Sequence, residues 1–157
     1  MEEICEKIVR NLEKQNRTIS FMESCTGGFL ANSITNISGA SNVLKVSLVT
    51  YSTVYKEKFG VDKNIIENYT VYSMETAKEM AKNVAKFADS NIGVGITGEL
   101  GNTINKEPKV YYSIYFKDKN EYTDRIVSPT GKERCQMKKE VAENVLLDIL
   151  KLILSLM

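Results

Sequence analysis

Six consecutive residues, Glu23-Ser24-Cys25-Thr26-Gly27-Gly28, gather a carboxylate, two hydroxyls, a thiol and two glycines. Small residues entering a helix leave backbone N–H groups open to an anion, and the helix dipole favours a phosphate or carboxylate there. Ser24 precedes that turn in the position of a nucleophile, with Cys25 as a thiol alternative. The same residues also make sense as helix caps, a tight turn and a small buried thiol. Two further clusters share this character: Tyr51-Ser52-Thr53-Val54-Tyr55-Lys56 and Thr97-Gly98-Glu99-Leu100-Gly101. The chain has no histidine, which excludes Ser-His-Asp and Cys-His machinery and His-containing metal sites. Acid–base chemistry near neutral pH then falls to lysine, tyrosine, a carboxylate or cysteine. Lys56 is the candidate, since a desolvated lysine can deprotonate a serine; its plainer reading is a solvated surface lysine. Tyr51, Tyr55, Tyr111 and Tyr112 read either as pocket walls or as ordinary strand residues. Lys132, Arg134, Lys138 and Lys139 read either as phosphate contacts or as the wet face of a helix.

The elements that must position these groups follow from periodicity. Ile4, Ile8 and Leu12 predict a helix over residues 2–15, and Arg17 to Met22 alternates as a strand. A helix carrying Leu30 and Ile34 follows and ends at Ser38-Gly39-Ala40-Ser41. Val46 to Tyr51 predicts a buried strand and Val54 to Phe59 a short helix. Ser73 is placed to cap an amphipathic helix through Ala88. Asn91 to Thr97 predicts a strand with glycines on one face, against which something packs closely. A hairpin, Val110–Phe116 and Tyr122–Val127, precedes a last helix over residues 133–154. The expected fold is a three-layer α/β/α domain over residues 1–157, with a mixed, mostly parallel sheet and a C-terminal antiparallel hairpin. Parallel strands would carry their C-terminal ends, and so all three clusters, to one edge.

Composition narrows the classes. The chain has 157 residues, 43% hydrophobic and 26% charged, with a net charge of +1, as in a globular domain with no electrostatic sign of a nucleic-acid or membrane partner. Three scattered cysteines fit thiols in a reducing, cytoplasmic setting, and the absence of tryptophan leaves no indole platform to stack a base. The apolar C-terminal run is broken by Asp148, Lys151 and Ser155, too often for a membrane span.

The order of these segments resembles the C-terminal domain of the CinA (competence/damage-inducible) proteins, which also occurs alone as the nicotinamide mononucleotide deamidase PncC. The E-S-C-T-G-G run at Glu23–Gly28 is intact. Thr35–Ser41 is similar to the family's T-D-I-x-G-S-S, and Val49–Ser52 with Lys56 to its V-x-Y-S-N-x-x-K. Phe59-Gly60-Val61 is similar to L-G-V, Val71-Tyr72-Ser73 to A-V-S, and Ile96-Thr97-Gly98 with Gly101 to I-T-G-x-x-G. Its G-D-R segment is echoed near Gly131 to Arg134. The resemblance implies an amidohydrolase with Ser24 as nucleophile and Lys56 as general base. Cys25, Thr26, Gly27, Gly28, Tyr51, Ser52, Thr97, Gly98 and Arg134 would then bind a small nucleotide substrate. It also implies a homodimer or higher oligomer; no cofactor or metal is expected.

Departures from the family pattern cluster at the expected substrate rim. Thr53 replaces an asparagine, Glu99 to Asn105 replaces a glycine- and proline-rich loop, and Tyr111-Tyr112 replaces small residues. They leave open a different carboxamide substrate, or a binding or regulatory module that does not turn over.

Overall fold

The computed structural model describes residues 1–101 and 107–157. The chain runs α1 (Glu2–Lys14), β1 (Ile19–Glu23), α2 (Phe29–Thr35), α3 (Ala40–Val43), β2 (Leu44–Val49), α4 (Thr53–Lys58), α5 (Lys63–Tyr69), α6 (Met74–Ala88), β3 (Ile92–Glu99), β4 (Lys109–Phe116), β5 (Glu121–Val127) and α7 (Arg134–Ser155). The sheet order is β2-β1-β3-β4-β5. β2 and β3 both pair parallel to β1, whereas β3–β4 and β4–β5 are antiparallel. The outcome is the mixed α/β sheet expected, parallel at its start and closed by a hairpin.

Alternation sorts the strands' side chains between two layers. Ile19, Phe21, Ile92, Val94, Ile96, Val110 and Ile114 meet Ile8 and Leu12 of α1 and Val141, Val145 and Ile149 of α7 in the main core. Met22 points the other way, to Met80 and Val84 of α6 and to Val61. Gly93 and Gly95 let α6 lie directly on β3: a Cβ at either would collide with a helix carbonyl oxygen, of Ala81 or Ala77 respectively. Ser73 caps α6 by accepting from the Thr76 amide.

Three readings need correction. β2 is an edge strand and only half-buried, because a hydrophobic run does not reveal whether one neighbour or two will flank it. The segment after α2 re-forms as α3. α5 was unforeseen, since none of its residues is buried and it lacks the apolar stripe that periodicity detects. The apolar face of α7 is core: Val141, Val145, Ile149 and Ile153 are fully buried and Leu152 packs against them. Among the described residues no helix is long and apolar enough to cross a membrane.

Candidate active site

Because β1, β2 and β3 are parallel, the three polar clusters meet at one sheet edge. Ser24 directly follows β1, and its amide donates to the Ile96 carbonyl of β3 at 3.0 Å. Gly27 and Gly28 then take positive φ values of 61° and 92°, which glycine adopts without a Cβ penalty, and turn the chain into α2. From β2's end, the Thr50 amide donates to the Glu23 carbonyl at 2.9 Å, holding that wall against β1.

Lys56 of α4 is 2% exposed, not the solvated lysine of the plainer reading. Its Nζ lies 3.0 Å from Ser24 Oγ and donates to the Thr50 carbonyl at 2.7 Å. Among the described residues no carboxylate forms an ion pair with it. Burial holds the amine below the ordinary lysine value, because the charged form loses its hydration. A neutral amine keeps two N–H donors and one lone pair. With one donor on Thr50, the lone pair can take the Ser24 hydroxyl proton.

Cys25 has the opposite character. Burial pushes its thiol up to about 12, and a protonated thiol is a poor nucleophile. Cys5 is buried as well and Cys135 is exposed. A maleimide should therefore label one thiol per chain in the native protein and three after unfolding, as read by intact mass. Rapid native labelling of a second cysteine would contradict this burial.

The helix entry is not open to a ligand in the way its sequence suggests. The Gly28 amide and two amides of α2 donate to the side chain of Glu23, as does the Thr26 hydroxyl at 2.7 Å. The Gly27 amide donates to the Ser24 carbonyl. Among the described residues no backbone carbonyl accepts from the amides of Cys25 and Thr26.

A cavity of about 550 Å³ opens beside Ser24 and Lys56, within the roughly 300–1,000 Å³ typical of small-ligand sites. Cys25, Tyr51, Ser52, Gly98 and Arg134 also line it. Thr26, Gly27, Gly28 and Thr97 do not. Thr97 is fully buried and donates to the Val71 carbonyl at 2.7 Å, which brings Val71 and Tyr72 to the cavity wall. Tyr72 was missed in the sequence because this long-range contact, not local spacing, delivers it. Arg134 arrives because β5, antiparallel to β4, points toward the same edge and α7 starts there. Its guanidinium donates to the Leu100 carbonyl at 2.6 Å and to the Tyr51 hydroxyl at 3.3 Å.

Of the tyrosines considered in the sequence, Tyr51 lines the cavity and Tyr55, Tyr111 and Tyr112 do not. Tyr112 is core: fully buried, it donates to Asp148 at 2.6 Å. It is therefore not the rim residue expected. Residues 102–106, which take in four of the seven positions of the altered loop, lie outside the described residues.

The CinA C-terminal domain family model matches residues 1–153. The chain belongs to this family. The CinA-like protein of Petrotoga mobilis is 42% identical over 106 residues, covering 67% of this chain and 26% of its own length. A protein of Thermoanaerobacter sp. (strain X514) that bears the name competence-damage inducible protein is 41% identical over 130 residues, 80% of this chain. The chain spans about a third of that relative's length, 32%. Among solved structures, the competence/damage inducible protein CihA from Agrobacterium tumefaciens has the same fold, with a TM-score of 0.90 at 24% identity over 96% of this chain and 94% of its own. A CinA superfamily protein from Klebsiella pneumoniae gives 0.91 at 18% identity over 98% of each chain.

Proposed function

We propose that this CinA domain is a Ser/Lys amidohydrolase that converts nicotinamide mononucleotide and water to nicotinic acid mononucleotide and ammonia. The observation that carries this reading is the 3.0 Å approach of a buried lysine amine to Ser24 Oγ at a cavity wall. In this scheme the neutral Lys56 amine removes the Ser24 proton as Oγ attacks the carboxamide carbon. The Cys25 amide, which follows the nucleophile directly, donates to the developing oxyanion. Lys56 returns the proton to the amide nitrogen, the C–N bond breaks and ammonia leaves from an acyl-serine ester. Water, deprotonated by the same amine, cleaves the ester and restores the Ser24 hydroxyl. Tyr51 and Tyr72 stand half-exposed or more beside the cavity and offer faces to the pyridine ring. Arg134, which lines the cavity, supplies a cation to meet the phosphate. A cytoplasmic setting, where the nucleotide is found, and a homo-oligomeric state belong to the same reading.

The test is ammonia release from nicotinamide mononucleotide by the purified protein, with stoichiometric formation of the acid. A rise in melting temperature with the nucleotide but no ammonia would overturn the hydrolase in favour of a binding module. Ammonia from another small carboxamide and not from this one would replace the substrate and keep the chemistry.

A further inference from the structure

Glu23 is fully buried, and the reaction above leaves it unused. A buried carboxylate is costly unless its oxygens are well supplied with donors. Oε2 accepts from Thr26 Oγ1 at 2.7 Å and from the amides of Gly28 at 3.1 Å and Leu30 at 3.2 Å. Oε1 accepts from the Ala31 amide at 3.0 Å and, more distantly, from Ser47 Oγ at 3.4 Å. The amides of a helix's first turn normally find a partner in the capping residue itself. Here that residue is Gly28, which has no side chain to offer, and a strand residue five positions earlier takes the role. Ser24 lies inside the loop so closed. Its amide is bonded to β3 and its carbonyl accepts from Gly27 at 3.0 Å, so the clamp leaves its backbone little freedom.

We propose that Glu23 is a positioning residue for Ser24. Its carboxylate clamps the turn that aims Oγ at Lys56, and it withholds the α2 amides from the anionic part of any substrate. This inference rests on the amidohydrolase reading. Glutamine is nearly isosteric but replaces one acceptor oxygen with an NH2 group facing donors, so the turn must shift. Misplacement of a reacting group by about 1 Å can cost about 10²-fold in rate.

Glu23→Gln should melt cooperatively and lose about 10²-fold in kcat with KM little changed. Acetate should restore part of kcat to Glu23→Ala, where chloride at equal ionic strength should not. A folded Glu23→Gln with wild-type kcat would overturn the clamp. If neither variant folds, Thr26→Val, which removes one donor to Oε2, should lower kcat at constant KM; wild-type kcat there would overturn it instead. Labelling of Ser24 by phenylmethanesulfonyl fluoride, which forms the sulfonyl ester with loss of HF, reads the clamp without substrate. Glu23→Gln should label more slowly than wild type, and equal rates would overturn the clamp whatever the substrate proves to be. A wild type that labels without releasing ammonia would sink the deamidase reading alone. One that does neither would sink both.

Discussion

Lys56→Met should all but abolish ammonia release from nicotinamide mononucleotide while the protein stays folded. Loss of a general base costs roughly 10²- to 10⁴-fold, and methionine fills nearly the same buried volume. Ser24→Ala removes the nucleophile and should fall at least as far, with nucleotide binding retained. In the wild type, kcat/KM should rise with pH through the lowered Lys56 value, below the ordinary 10.5, as the amine becomes neutral. Stability carries the same signature. Between the lowered folded value and 10.5 the unfolded chain binds more protons at this lysine than the native one, so native stability rises with pH. Denaturant melts across that window should show wild type gaining on Lys56→Met as pH increases. The gap should then hold constant above 10.5. A rate that falls with pH in this range, or a flat difference in stability, would mean that Lys56 is charged and is not the base.

Gly95→Val should be strongly destabilising although it lies away from the cavity. Its Cβ would strike the Ala77 carbonyl oxygen and lie 2.7 Å from Met80 Cβ; backbone atoms of a packed helix cannot rotate aside. Overpacking of this kind costs about 1–3 kcal/mol, sometimes more, against a total of about 5–15 kcal/mol for a domain. At about 2–4 °C per kcal/mol for a chain this size, the melting temperature should drop by up to about 12 °C. A variant melting within a degree or two of wild type would show that α6 can move off the sheet freely.

Much of this frame is legible in the residues themselves. The stripes of α1 and α6, the Ser73 cap and the bare glycine face of β3 are short-range signals, and each reappears where expected. Lateral order is not a short-range signal, which is why Val46 to Tyr51 suggests a buried strand and β2 lies at the margin. Lys56 is one of 21 basic residues, and nothing in its neighbours marks it as buried; the family resemblance singles it out. The carboxylate of Glu23 was legible as part of a motif but not as a partner for amides up to eight residues ahead. Tyr72 reaches the cavity and Tyr112 the core because long-range partners, Thr97 by way of Val71 for the one and Asp148 for the other, decide which way each segment faces.

The order of strands also distributes rigidity unevenly across the site. Ser24 hangs from a strand flanked on both sides, whereas the carbonyl that orients Lys56 belongs to a residue just past β2, which has a neighbour on one side. Excursions from the native state begin where backbone pairing is thinnest. The amine and the hydroxyl would therefore separate by fraying of the outer strand, and amide exchange along residues 44–50 would time how often the pair comes apart.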